Sequence, residues 1–129
     1  MVNAHDTQDP VELFDLHISH IGINAATDEE AEGIVGLFSS LMGLRRELSA
    51  PISVFAGTLV EVMRPGAGRG EKGHIGFYVN DIPAAFRWFG ERGLEADPKL
   101  QVLNPDGSIR LVYFKQQIAG FAIHLTSDR

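Results

Sequence analysis

Polar and apolar residues alternate with a period of two from residue 17 to residue 25, then shift to a helical period, and the same succession returns after residue 73. Over His17 to Ala25 the alternation predicts a strand with Ile18, His20, Gly22 and Asn24 on one face and Ser19, Ile21 and Ile23 on the other. The two isoleucines call for a helix packed on their side. His20 is left on the opposite side, beside a glycine that makes room. Thr27-Asp28-Glu29-Glu30 is a capping box, with Thr27 as N-cap and Glu30 reaching back. Ala31, Ile34, Val35, Phe38, Leu41 and Met42 then fall on one helical stripe, which Gly43 ends in a left-handed cap. Short strands are expected over 44–48, 51–56 and 58–63, with Gly57 turning the chain into the last of them. There Leu59, Glu61 and Met63 share a face. A carboxylate at the centre of an apolar strand is costly unless it is paired or bound to a cation.

The second half repeats the scheme. His74-Ile75-Gly76-Phe77-Tyr78 echoes His20-Ile21-Gly22-Ile23-Asn24, with His74, Gly76 and Tyr78 facing one way and Ile75, Phe77 and Val79 the other. Asp81 caps a second helix with Pro83 in its first turn. Ile82, Ala85, Phe86 and Phe89 are its buried stripe, Trp88 lies at the stripe's edge, and Gly93 stops it. Asp97-Pro98 is read as a break before a strand over 99–103. Asn104-Pro105-Asp106-Gly107 is a hairpin turn, followed by strands over 108–115 and 120–126. Gly57-Thr58-Leu59-Val60-Glu61-Val62 matches Gly120-Phe121-Ala122-Ile123-His124-Leu125 position for position. Each half therefore reads βαβββ, with a metal-capable side chain on its first strand and another on its last: His20 and Glu61, then His74 and His124.

The expected class is α+β, one domain over residues 15–129 made of modules 15–64 and 73–129. Residues 1–14 are read as a flexible tail, although Val11 to Phe14 also suits a helical turn or a lead-in to the first strand. His5 and His17 are given no special role. The glycines at 66, 68 and 70 mark the linker between modules; no helix follows them, so they do not form a dinucleotide-type phosphate loop.

Charge and composition narrow the partners. The net charge is −6 with no basic run, which disfavours nucleic acid and anionic membrane surfaces. There is no cysteine, so disulfides, thiolate ligands and thiol nucleophiles are excluded, and a reducing, cytoplasmic setting is the natural expectation. No apolar run approaches a membrane span. Trp88 and the exposed edges of short sheets suggest a homodimer.

Three imidazoles and one carboxylate suit a divalent ion such as Zn, Ni, Mn, Fe or Co, without selecting among them. The competing reading is a solvated polar cup without metal.

The residues carrying these features are His20-Ile21-Gly22-Ile23, the helix ends at Gly43-Leu44 and Gly93-Leu94, Val60-Glu61-Val62, His74-Ile75-Gly76-Phe77, Asn104-Pro105-Asp106-Gly107 and the final strand from Gly120. In this order, and twice over, they resemble the vicinal oxygen chelate superfamily of glyoxalase I, extradiol dioxygenases, methylmalonyl-CoA epimerase and the bleomycin and fosfomycin resistance proteins. The resemblance implies two βαβββ modules whose mixed sheet curls around a cleft. It implies His20, Glu61, His74 and His124 as metal ligands, and a substrate that offers two neighbouring oxygens. The position of His124 commonly holds glutamate in that superfamily. Carboxylate base chemistry from the last strand is lost here, and Glu61 becomes the expected base, directly or through a water.

A looser resemblance, carried by His20-Ile21-Gly22-Ile23-Asn24, Ser53-Val54-Phe55-Ala56-Gly57, Glu61-Val62-Met63 and the Gly120 strand, is to small domains of this superfamily associated with keto-deoxy-phosphogluconate-type aldolases. It implies a 2-keto or hydroxy acid, with Arg110, Lys115 or Arg45 on its anionic end and Tyr78, Asn24 and Ser53 lining the cleft. The resulting expectation is a metal-dependent isomerase or lyase working through an enolate. A non-catalytic binding protein of the same fold is the alternative, and an extradiol-type dioxygenase ranks last.

Overall fold

The computed structural model describes residues 9–128; residues 1–8, with His5, and residue 129 lie outside the described residues. The elements are α1 (Pro10–Phe14), β1 (His17–Asn24), α2 (Asp28–Met42), β2 (Arg46–Ser49), β3 (Ser53–Ala56), β4 (Val60–Met63), β5 (Gly73–Tyr78), α3 (Ile82–Gly90), β6 (Ala96–Leu103), β7 (Ile109–Ile118) and β8 (Phe121–Thr126). From β1 onward this is βαβββ twice. The strands form one eight-stranded sheet in the order β2-β3-β4-β1-β5-β8-β7-β6. It is mixed: β1 runs parallel to β4, while β2–β3, β3–β4 and β6–β7 are antiparallel. The expected α+β class is observed. By contacts the chain divides into two compact units, one of His20–Gly76 with Gln117–Ala122, the other of 77–116 with the described parts of 1–19 and 123–129.

In the first unit, Thr27 Oγ1 accepts from Glu30 N at 2.9 Å. The return bond of the capping box goes to Ala26 N at 3.2 Å, one residue before the N-cap. Gly43 closes the helix at φ 73°. Ala25, Ala31, Val35, Val54, Ala56 and Val62 form the buried core, with Ile34, Phe38, Leu44 and Val60 packed against it. Helix α2 thus lies over β3 and β4. The expected cover for the β1 isoleucines is incomplete, and Ile21 stays 39% exposed.

The stripe on α2 also stops early. Leu41 and Met42 are 75% and 68% exposed. Length explains it: the helix has 15 residues and its partner strands four each, so about 22 Å of helix rests on strands of about 13 Å. The linker is held down by its own backbone and by Asn24, whose Nδ2 donates to Gly70 O at 3.0 Å and Arg69 O at 3.4 Å. Lys72 N donates to Gly120 O at 2.8 Å.

The second unit begins inside the expected tail. Asp9 caps α1, Phe14 is buried, and Asn80 N donates to Phe14 O at 2.9 Å. Residues 10–14 are therefore folded structure. Asp81 caps α3 by accepting from Ala84 N at 3.0 Å. Phe86 and Phe89 stand edge-on to Phe114 of β7, with centroids 5.9 and 5.4 Å away. Trp88 is covered on one face by the Arg92 guanidinium, 3.6 Å from the ring centroid.

Strand β6 does not start after Asp97-Pro98 but runs through it. Asp97 Oδ1 accepts from Lys99 N at 3.0 Å, and the register with β7 shifts between Ala96 and Gln101. A proline without an N–H is tolerated there because β6 is an edge strand with a bulge. Strand β7 continues to Ile118 and turns into β8 through Ala119 and Gly120, both at positive φ. Among the described residues no helix is long and apolar enough to cross a membrane.

Candidate metal centre

Strand register brings the polar residues of the first unit to one face of the sheet. Gly22 pairs with Glu61 across β1 and β4, and Phe55 pairs with Glu61 across β3 and β4. Partners in register share a face. His20, Gly22, Ser53, Phe55 and Glu61 are therefore on the face away from Val54, Ala56, Val60, Val62 and α2. The alternation expected for β1 and β4 is observed.

On that face Glu61 Oε1 lies 3.1 Å from His74 Nε2 and 3.6 Å from His20 Nε2. Ser53 Oγ donates to the other oxygen, Oε2, at 2.7 Å. The His20 and His74 rings meet edge to face at 5.3 Å, and Phe55 stands edge-on to His20 at 6.0 Å. His74 is 1% exposed, and His20 and Glu61 side chains are 13% and 15% exposed. Gly22 makes the approach of His74 possible. A Cβ there would lie 2.0 Å from His74 Cε1.

Burial pushes the Glu61 carboxyl up. Hydrogen bonds from His74 and Ser53, with the charges of His74 and His20, outweigh burial and hold it below its ordinary value. The unfolded chain then takes up this proton at higher pH than the folded one. The associated stability is complete above the ordinary 4.5 and is lost as pH falls through the depressed folded value. Acid titration of the metal-free protein, followed by urea unfolding, is expected to show this loss. Glu61→Gln should remove part of it; an unchanged pH slope in the variant would contradict the account.

The donor set fits a divalent ion. Ligands about 2.1 Å from one ion stand about 3.0 Å apart in an octahedron and about 3.4 Å apart in a tetrahedron. The 3.1 and 3.6 Å from Glu61 Oε1 to His74 and His20 lie near these values.

In the second unit, His124 on β8 is 1% exposed, and its ring lies 4.8 Å from that of Tyr113. Tyr113 was not anticipated. Its neighbours Val112 and Phe114 are buried, and Phe114 packs under α3, so alternation along β7 turns Tyr113 to the opposite face. Reading β7 by parity would have found it. Arg110, where the β6–β7 register shifts, pairs with Asp128 at 3.0 Å and is half exposed. Lys115 pairs with Glu95 at 3.4 Å, also half exposed. Arg45 is exposed. Tyr78 is half-buried against the His17 ring, centroids 4.8 Å apart, and Asn24 holds the linker. Ser53, expected to line a cleft for substrate, contacts Glu61.

No family model matches the sequence, and no curated protein does. Solved structures do. A hypothetical protein from Bacillus halodurans C-125 superposes with a TM-score of 0.60 at 15% identity, over 88% of this chain and 95% of that one. A variant of Streptomyces coelicolor methylmalonyl-CoA epimerase in complex with 2-nitronate-propionyl-CoA gives 0.59 at 15% identity, over 87% and 94%. Methylmalonyl-CoA epimerase from Mycobacterium tuberculosis gives 0.58 at 16% identity, over 87% of each chain. These likenesses show that the chain shares the fold of these structures, in keeping with its two βαβββ modules.

Proposed function

We propose that this vicinal-oxygen-chelate fold is a divalent-metal-dependent isomerase or lyase acting on a small oxygenated acid by removing a proton next to a carbonyl. The observation that carries the reading is the meeting of Glu61 Oε1 with the Nε2 atoms of His20 and His74 on one sheet face. His20, His74 and His124 are a group of three histidines that could hold a metal ion, and with Glu61 they are the proposed ligands. A bound divalent ion supplies Lewis acidity that stabilises negative charge developing on a substrate oxygen.

The chain's own residues supply the rest. Glu61 is the proposed base, acting directly or through a water, and Ser53 holds its Oε2. Phe55 shields His20 on one side. Tyr78 is kept as a substrate-lining residue. Arg110 and Lys115 are left out of the proposal because Asp128 and Glu95 already meet their charges. The structural neighbours named methylmalonyl-CoA epimerase make acids with an acidic proton flanked by carbonyl groups the substrates to try first, with 2-keto acids beside them. The reading includes a homodimer in the cytosol, in keeping with a chain that has no cysteine.

Solvent exchange tests it. Protein loaded with Co²⁺, Mn²⁺, Ni²⁺ or Zn²⁺ is incubated in heavy water with methylmalonyl-CoA and with a panel of 2-keto acids. Proton NMR follows the α-hydrogen. The expected result is metal-dependent exchange that chelator abolishes and that Glu61→Gln slows by about a hundredfold or more. Ligand-dependent thermal stabilisation with no exchange for any acid would replace this reading with a non-catalytic binding protein.

A further inference from the structure

Ser53 opens β3 and is 3% exposed. It shares a face with Phe55, the register partner of Glu61, so its hydroxyl sits diagonally from the carboxylate. The bond is short, 2.7 Å from Oγ to Oε2, and a hydroxyl bonded to an ionised carboxylate away from water is a strong constraint. The two carboxylate oxygens are thereby divided. Oε2 belongs to β3, and Oε1 is the oxygen that meets His74 and His20.

We propose that Ser53 is a positioning residue that makes Glu61 a one-oxygen donor to a divalent cation and prevents two-oxygen chelation. The inference rests on the metal-site reading above. The terminal torsion of a glutamate is broad, so a carboxylate without a second partner swings and can present both oxygens to an ion. Coordination numbers explain why that matters. Each carboxylate oxygen bound to an ion takes one of its about six positions. A chelating Glu61 would take one more than a one-oxygen Glu61 and leave one fewer for a substrate that binds through neighbouring oxygens. Ser53 is then a determinant of which substrates the site accepts, though it need not touch them.

Cobalt reads this directly, because its visible band shifts when a second carboxylate oxygen replaces a bound water. Full-length protein, Ser53→Ala and Ser53→Thr are titrated with Co²⁺, with absorption and calorimetric affinity recorded in the absence of substrate. Ser53→Ala is expected to show a shifted band and a Co²⁺ affinity changed by about tenfold or more. Ser53→Thr keeps the hydroxyl and is expected to restore both. A parent-like spectrum and affinity in Ser53→Ala would overturn the inference and leave the metal site standing. A parent protein that takes up no Co²⁺ would overturn the metal site and the inference with it.

Discussion

Gly22→Ala is expected to abolish cation binding by the site, lowering Co²⁺ affinity by more than about a hundredfold, and to destabilise the fold by about 2–4 kcal/mol. The added methyl would fall 2.0 Å from Cε1, 2.1 Å from Nδ1 and 2.6 Å from Nε2 of His74, which is inside the ring's own envelope. An imidazole usually escapes such a clash by rotating. His74 is 1% exposed, so every escape route is into packed atoms, and interiors this dense yield only at the cost of strain. Its Nε2 would leave the neighbourhood of Glu61 Oε1. Gly33→Ala is the control. It lies in the interior of α2 with nothing within 4 Å of the new Cβ, and it should stabilise the protein by about 0.5–1 kcal/mol. Urea unfolding and Co²⁺ calorimetry on both variants check the pair. Parent-like cobalt affinity in Gly22→Ala would show that the His74 ring does not contribute to the site.

Gly73→Ala is expected to destabilise the protein by more than about 4 kcal/mol, enough to remove most folded material. Two causes add. The backbone there has φ 124°, a region closed to side-chain-bearing residues. The new Cβ would also meet Gly22 O at 2.2 Å, and a carbonyl within a strand cannot turn aside. Gly107→Ala separates the two causes. Gly107 has φ 88° in the hairpin turn but open space around it, so it should lose only the conformational part, about 1–2 kcal/mol. Soluble yield and urea midpoints of the two variants measure the difference. Equal losses would mean that the backbone approach at Gly73 contributes nothing.

Both glycines belong to one construction. Gly22 and Gly73 let β1 and the start of β5 come together closely enough for His74 to stand beside His20 and Glu61. A glycine making room beside His20 was readable from residues 17–25. That its occupant is the His74 ring was not, because nothing in the local pattern states how near β5 and β1 approach.

Local patterning determined a good part of this protein. Period-two alternation set His20 and Glu61 apart from the bulky neighbours on their own strands, and the capping box at Thr27 and the glycine at 43 set the ends of α2 within a residue. The repeated His-Ile-Gly pattern and the matched final strands announced two βαβββ modules. These features are legible because side-chain direction and helix capping depend on residues only a few positions apart.

Tertiary structure decided what each face meets. It left Leu41 and Met42 outside the core because four-residue strands cannot support a helix of 15. It carried β6 through Pro98 because an edge strand does not need that N–H. It joined Asn24 to the linker, Ser53 to Glu61 and Arg110 to Asp128. Each of these outcomes depends on the length, register or neighbour of a distant strand. Alternation along a single strand defines two sides, and only strand pairing and helix docking determine which side becomes core and which becomes site.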